Sequence, residues 1–407
     1  MKKDTKALIE ALSAGPVRQY IADHEKHDVR DIILKHKEIL GIPTAQLLDQ
    51  IASRKKAKDK LPLYYNTPGI IFPPPDNLEQ SSSERTAAFK ADVVSSMLPS
   101  GNSTLADLTG GFGVDTFFFS TKVGMVHYVE PESHLLETAR HDHKLLGARN
   151  IQYHLSTAEE FFRTTSDSFD FVYVDPSRRT ATKQRVHSLE QARPDILNLI
   201  EDIFRRAKML MIKASPLLDL QAAIRQIPFV KEVIVVSVRN DVKELLFVSE
   251  RDYKDAPVIR AVNLLAGDLQ ESFTFKLEEE RGQNAGYGDP LLYLYEPNAA
   301  ILKAGAFKTI ANRFKLTKIQ ASTHLYTSDE FMNDFPGRKF RIEAYVKPDP
   351  AIVKPYFPDG KANVTTRNYP LSPDVLKKKT KLDDGGEKFL IGFSGQHKKF
   401  LVVAERL

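Results

Sequence analysis

The 407-residue chain contains no cysteine. That absence removes disulfides, thiolate metal sites and cysteine nucleophiles at once. No run of about 20 apolar residues occurs, so no segment reads as a membrane span. The amino terminus, Met1-Lys-Lys-Asp-Thr-Lys6, has no apolar signal core behind it, and a soluble cytoplasmic protein is the expectation. There are eleven histidines, and His141 and His143 share one expected helix, yet no H-E-x-x-H or comparable ligand spacing accompanies them. No metal is expected. Internal repeats are lacking as well.

What is present fits packed domains. Hydrophobic residues make up 42% of the chain, and its length allows roughly two to four domains. The net charge is +5. Its distribution is uneven: from Phe331 to Leu407 there are 15 Lys/Arg against 9 Asp/Glu, a surplus of six that exceeds the whole chain's balance. Such a tail suits a nucleic-acid face, or it is simply a solvated lysine-rich surface.

Residues 1 to about 60 read as helical, with helical periodicity at Ala7–Leu12, Val29–Leu34 and Thr44–Ile51. Leu61 to Pro75 is proline-rich and expected to be extended, with Pro73-Pro-Pro75 as a boundary. Ser81-Ser-Ser83 then caps a new helix that has Glu84 in its first turn. From Thr104 strands and helices alternate. Strands are expected at Leu105–Leu108, Met125–Val129, Ile151–His154, Phe169–Val174, Met209–Lys213, Val233–Val238 and Glu244–Val248, and helices at Glu132–Leu146 and Asp195–Ala207. This rhythm predicts a doubly wound, largely parallel, Rossmann-like α/β sheet, open to a ligand at its carboxyl edge. The last two strands read as a hairpin finishing the sheet. Beyond about residue 250 the pattern changes to two small α+β units. The first has a strand at Phe273–Leu277, then Tyr293–Pro297 preceding a helix from Ala299 to Phe314, followed by Ala321–Thr327. The second starts at Phe340–Val346 and includes Phe389–Phe393 and Phe400–Ala404. The expected segments are therefore 1–75, 76–252, 253–333 and 334–407.

Chemistry concentrates where the strands end. Leu105-Ala-Asp-Leu-Thr-Gly-Gly-Phe-Gly-Val-Asp-Thr-Phe-Phe-Phe-Ser120 reads as a buried strand ending on Asp107, a turn Thr109-Gly110-Gly111-Phe112-Gly113, and a helix opening on Val114 and Asp115. Glycines there tolerate positive φ and let a nucleoside lie against the main chain. Alone, the turn is compatible with a dinucleotide, a methyl donor or mere punctuation. Glu130 ends the next strand, 17 residues beyond Gly113, where two carboxylate oxygens can accept both ribose hydroxyls. Asp175-Pro176-Ser177-Arg178 ends a third strand. A nicotinamide enzyme would use the first two features, but Thr116 stands where G-x-G-x-x-G needs its third glycine. Asp115 near the helix start would also oppose a pyrophosphate. It does not oppose a cofactor with a cationic sulfonium and an ammonium group.

At these residues the chain resembles the class I S-adenosylmethionine-dependent methyltransferases, from roughly Ser83 to Glu250. Asp107 to Gly113 resembles the first motif, Glu130 the ribose-binding acid, and Asp175-Pro176 the motif facing the methyl group. Thr109 replaces that motif's usual first glycine. Ala158 and Glu159 stand where the adenine contact belongs, without the customary acid before alanine. More narrowly, Leu108-Thr-Gly-Gly-Phe-Gly-Val-Asp115 with Val174-Asp-Pro-Ser-Arg-Arg179 is similar to a bacterial group carrying a C-terminal THUMP-like domain. Phe335-Pro-Gly-Arg-Lys-Phe340 and Asn363-Val-Thr-Thr-Arg-Asn-Tyr-Pro370 resemble that domain, and a small ferredoxin-like module precedes it. The resemblance implies S-adenosylmethionine as cofactor. It also implies an RNA substrate, tRNA above all, because THUMP domains help modification enzymes hold tRNA.

Within this resemblance the reaction centre is unusual. Ser177 and Arg178 replace the second proline and the aromatic of a Pro-Pro-aromatic motif, so no base-stacking ring is present there. Carbon-5 methylation of a pyrimidine normally requires a cysteine, which this chain lacks. Direct transfer to a nitrogen or a hydroxyl is left, with positioning as the main source of catalysis. Asp175 could orient the acceptor or take its proton. Arg178 and Arg179 could hold a phosphate or stack on a base, or they are loop charges. Lys213 could contact substrate or cap the sheet edge. Lys90 and Phe89 are expected near the cofactor's methionine end. Two other functions fit the same residues: a non-catalytic RNA-binding protein that retains a cofactor fold, and a small-molecule methyltransferase.

Overall fold

The computed structural model of the protein describes residues 5–26, 36–99, 102–176 and 189–407. The periodic segment Val29–Leu34 and the residues Ser177, Arg178 and Arg179 lie outside the described residues. The chain forms two compact units. The first comprises Met1–Ala214, Gln221–Phe229 and Phe247–Tyr253, and the second Ser215–Leu220, Val230–Leu246 and Lys254–Leu407.

In the first unit, helices Thr5–Ser13, Gly15–His24 and Thr44–Lys60 bury Ile9, Leu12, Val17, Ile21, Leu47 and Ile51 in one cluster. A short ladder of β1 (Glu38–Ile39) and β2 (Ile42–Pro43) precedes the third helix. The proline-rich stretch differs from the extended segment expected. Pro62 opens the helix Pro62–Asn66 and Pro75 opens the helix Pro75–Gln80, because proline at a first helical position forfeits no internal hydrogen bond. The backbone between these helices is held by side chains. Gln50 both donates to the Phe72 carbonyl (2.6 Å) and accepts from its amide (2.9 Å), while Ser53 donates to Pro73. The helix Glu84–Met97 starts as expected, with the Ser83 hydroxyl accepting the Thr86 amide.

The sheet of this unit contains β3 (Thr104–Asp107), β4 (Met125–Glu130), β5 (Ile151–Leu155), β6 (Phe169–Val174) and β7 (Ala207–Ala214), all parallel, in the order β7-β6-β3-β4-β5. Strands β4, β6 and β7 are buried along nearly their whole length, as parallel strands covered on both faces must be. The chain steps outward from β3 to β4 and β5, then returns to β6 and β7 on the other side. The switch point therefore lies between β3 and β6, at the carboxyl edge where ligands bind in such sheets.

β8 (Val230–Val238) and β9 (Asp241–Glu250) form the expected hairpin, turning through Arg239 and Asn240 at φ +51° and +67°. The sheet does not finish there. β10 (Val258–Leu264) pairs in parallel with β8, and β11 (Gln270–Lys276) pairs antiparallel with β10, giving nine strands in the order β11-β10-β8-β9-β7-β6-β3-β4-β5. Arg260 and Asn263 interrupt the apolar pattern of β10 and concealed it. The buried Asn263 carboxamide accepts from Ser237 and from the Asn240 amide at the hairpin.

The second unit also holds a seven-stranded sheet of β12 (Tyr293–Pro297), β13 (Thr317–Gln320), β14 (Thr323–Ser328), β15 (Gly337–Tyr345), β16 (Lys361–Arg367), β17 (Asp383–Ser394) and β18 (Lys399–Arg406). Its order is β13-β14-β12-β15-β18-β17-β16, around a core of Leu294, Ile319, Leu325, Phe340, Ile391 and Val402. The single helix read across 299–314 is two, Ala299–Ala304 and Phe307–Arg313. Gly305 at φ +82° ends the first in the left-handed conformation, its amide donating to Ile301.

Candidate active site

The carboxyl edge of the first unit's sheet gathers four charged groups. Asp107 ends β3, Glu130 ends β4, Asp175 follows β6, and Lys213 is the penultimate residue of β7. Two of the acids share a pattern with the strand that carries them. Tyr128 precedes Glu130 by two residues and Tyr173 precedes Asp175 by two, so each tyrosine points to the same sheet face as its acid.

The glycine turn is fastened from several sides. Glu130 Oε2 accepts the Gly111 amide at 2.8 Å, and the Tyr128 hydroxyl donates to the Gly111 carbonyl at 2.6 Å. A Cβ on Gly110 would fall 2.3 Å from the Tyr128 ring, so only glycine admits that ring. Gly113 sits at φ +85°, and its carbonyl accepts from His143 Nε2 at 2.8 Å. Because that carbonyl can only accept, Nε2 carries the proton and Nδ1 accepts from the Tyr153 hydroxyl at 3.0 Å. His143 is wholly buried, and burial pushes its pKa down to about 4, so it is neutral. Its place is that of a strut for the turn. Phe112 turns its ring into the cluster of Tyr64, Phe72 and Phe117, leaving only its backbone at the cradle.

Beneath the turn lies a buried polar network. Asp107 accepts from the Thr109 amide at 3.0 Å and from the Thr116 hydroxyl at 2.6 Å. Burial raises its pKa to about 7 against the opposing hydrogen bond from Thr116, and the negative charges of Asp115 and Asp175 add to the rise. The Thr109 hydroxyl accepts the Asp175 amide at 2.7 Å. Lys213 forms an ion pair with the Asp175 carboxylate. Asp115 is engaged on both oxygens: Ser82 and Tyr173 donate to Oδ2, each at 2.8 Å, and the fully buried Lys90 ammonium lies 3.2 Å from Oδ1. Burial alone would raise the Asp115 pKa, but Lys90, Lys213 and the hydrogen bonds from Ser82 and Tyr173 together outweigh it and hold the group below its usual value.

The structure thus brings Asp107, Thr109, the three glycines, Glu130, Asp175 and Lys213 to one edge. Pro176 is buried directly after Asp175. Ala158 is buried at the start of the helix Ala158–Thr164 after β5, and Glu159 beside it is exposed. Asp115 and Lys90 serve the framework of the network. Sequence reasoning missed Tyr128, Tyr173 and the role of His143. The tyrosine two residues before both Glu130 and Asp175 is the available signal. Among the described residues no group of three His, Asp or Glu side chains is set to hold a metal ion, and no helix is long and apolar enough to cross a membrane.

The cradle fits a nucleoside cofactor. A Cβ on Gly111 would meet nothing closer than the Thr109 carbonyl at 3.8 Å, so the main chain is open there. Glu130 spends one oxygen on the Gly111 amide and the other on the Glu132 amide at 2.9 Å. Each oxygen keeps a lone pair, which is what a ribose diol needs. A doubly wound sheet whose switch point carries this cradle, with an acid ending the next strand, matches the place where the class of nucleoside-cofactor-binding folds takes its ligand.

Comparison with known proteins narrows the class. Residues 293–336 match a ferredoxin-like domain family and residues 337–406 a THUMP domain-like family. The chain is similar over its whole length to the crystal structure of a candidate methyltransferase from Porphyromonas gingivalis W83, with 30% sequence identity, a TM-score of 0.86 and 100% of each chain covered. Two further structures each align with 40% of the chain at 17% identity and a TM-score of 0.31. They are an rRNA methylase from Streptococcus thermophilus, 93% covered, and a candidate methyltransferase from Streptococcus mutans in complex with SAH, 95% covered. No curated protein matches the chain. On the full-length likeness, the chain belongs to the S-adenosylmethionine-dependent methyltransferases of the bacterial group with a C-terminal THUMP-like domain. It is an enzyme, and S-adenosylmethionine is the cofactor of its family.

Proposed function

We propose that this methyltransferase acts on RNA in the cytoplasm, with tRNA as its substrate class, by direct transfer to a nitrogen or a hydroxyl. The observation that carries the reading is the THUMP domain-like match over 337–406, in a tail whose 15 basic residues outnumber its 9 acidic ones. The division of labour follows the sequence segments. Residues 76–252 perform the transfer, 253–333 first extend their sheet with β10 and β11 and then carry the ferredoxin-like module at 293–336, 334–407 hold RNA, and 1–75 flank the catalytic domain.

S-adenosylmethionine supplies an electrophilic methyl group on a cationic sulfonium. Glu130 takes the ribose hydroxyls, and the main chain of Thr109 to Gly113 lies along the nucleoside, with Asp107 beneath it. Asp115 contributes its charge to that buried floor, and Ala158 and Glu159 border the adenine. Asp175 accepts a hydrogen bond from the acceptor N–H or O–H and receives its proton. Lys213 and the Thr109 hydroxyl keep Asp175 in place for this, while Pro176 stiffens the turn behind it. Arg178 and Arg179, outside the described residues, are assigned to the RNA phosphate or base. Catalysis then comes from holding the acceptor in line with the methyl group rather than from a covalent enzyme intermediate.

Nucleoside mass spectrometry of RNA from wild-type cells and from cells lacking the gene tests this reading. One methylated nucleoside should disappear from the tRNA fraction of the deletion strain. Identical nucleoside profiles would refute it.

A further inference from the structure

The mixed-charge hairpin at the end of the chain borders a cleft of about 430 Å³ that no role described above uses. Tyr345 and Val346 from the end of β15 line it, with Lys399, Phe400 and Leu401 from the start of β18. Asp289 and Pro290, before β12, close one side. Its volume falls in the usual range of small-ligand sites, about 300–1,000 Å³.

Tyr345 is the unusual member. It is 55% exposed, yet its hydroxyl donates to the Pro290 carbonyl at 2.9 Å. The adjoining backbone is also fixed, since the Val346 amide donates to Leu401 at 2.9 Å. The aromatic face is therefore open to water but not free to swing. A surface ring already locked in place loses little side-chain entropy when something stacks on it. Phe400 lies behind it, ring centroids 6.2 Å apart.

Two lysines line the same cleft. The Lys398 ammonium lies 5.0 Å from the Phe400 ring centroid and 2.8 Å from Asp289, which cancels the one acid of the cleft. Lys399 is exposed next to it. An immobilised aromatic face beside surplus positive charge matches an unpaired base and its phosphate. A duplex keeps its bases stacked on each other and cannot present one.

We infer that Tyr345, with Lys398 and Lys399, forms a docking platform for one nucleotide of single-stranded RNA: the base stacks on the Tyr345 ring and the adjoining phosphate meets the lysines. The inference rests on the RNA reading above and names the place where the tail would grip its substrate.

Fluorescence anisotropy of the full chain with a fluorescein-labelled oligouridine of about 12 nucleotides tests it. Tyr345→Ala should weaken binding roughly tenfold, as expected for a lost stacked base, whereas Tyr345→Phe, which keeps the ring but loses its tether to Pro290, should weaken it by less. Lys399→Gln should reduce the slope of log affinity against log salt by about 0.7. Retained S-adenosylhomocysteine binding by calorimetry checks that each variant is folded, and Tyr345→Leu replaces the alanine variant if that one fails. Should the wild-type chain bind no RNA, the RNA reading and the platform fall together. Should the wild type bind while Tyr345→Ala and Lys399→Gln match it, the platform alone is overturned. An equal loss of heparin binding in Tyr345→Ala would also overturn it, because heparin offers no base to stack.

Discussion

The Thr109 hydroxyl accepts the backbone amide of Asp175 at 2.7 Å, tying the glycine turn after β3 to the end of β6. The family's usual residue at this position is glycine, which cannot make that bond. Thr109 thus compensates for its own departure from the pattern by coupling the glycine turn to the strand end proposed to face the acceptor. Replacing it with valine keeps the shape and strands the Asp175 amide, at a cost of about 1–3 kcal/mol. Thr109→Val is expected to lower the methyl-transfer rate about tenfold or more, with a smaller effect on cofactor affinity. Thr109→Ser should restore the rate. Single-turnover kinetics alongside calorimetry with S-adenosylhomocysteine would separate the two effects.

Gly113 is the second point of rigidity. An added Cβ would lie 2.5 Å from His143 Nε2, on a backbone at φ +85° that side chains seldom adopt. Gly113→Ala should therefore lose about 2–4 kcal/mol of stability through overpacking and backbone strain together, read as a lower urea midpoint. The double variant Gly113→Ala/His143→Ala relieves the clash but not the strain. It should fall short of the sum of the two single losses.

The parallel strands were legible because burial on both faces turns them into continuous apolar runs, and their terminal acids stood out against those runs. The pins of the site were not legible. His143 reaches the carbonyl of a residue 30 positions earlier, and Lys90 meets Asp115 across 25 positions, so neither leaves a local pattern. One glycine in a helical pattern is usually tolerated, so 299–314 reads as a single helix, whereas Gly305 takes the left-handed conformation and ends the first of two. β10 carries no clear strand pattern because Arg260 and Asn263 serve hydrogen bonds rather than the core.

Asp107 gives the protein a pH signature. Its folded-state pKa of about 7 lies above the ordinary 3.8, so the folded protein holds a proton that the unfolded chain releases. Stability from this group is full below about pH 4 and is lost as pH rises towards 7. His143 acts in the opposite direction between about pH 4 and 6.5, since its folded pKa is depressed to about 4. The difference between wild type and Asp107→Asn isolates the aspartate. Urea titrations from pH 4 to 8 should show wild-type stability falling relative to the variant by a few kcal/mol across that interval.

In the second unit the buried Glu296 carboxylate forms ion pairs with both Arg338 and Arg367, one from each tail segment that resembles the THUMP-like domain. Removing the acid leaves two half-buried guanidinium groups facing each other. Glu296→Ala is expected to cost about 3–5 kcal/mol in denaturant unfolding, and Glu296→Gln less, because the amide still accepts one hydrogen bond.

The most direct measurement is transfer of a tritiated methyl group from S-adenosylmethionine to RNA purified from cells lacking the gene. The wild-type chain should label that RNA. Asp175→Asn should reduce labelling at least about a hundredfold, as for loss of a general base, while still binding S-adenosylhomocysteine. Glu130→Ala should fail by losing the cofactor instead. Failure of the wild-type chain to label this RNA, despite measurable cofactor binding, would contradict RNA as the acceptor.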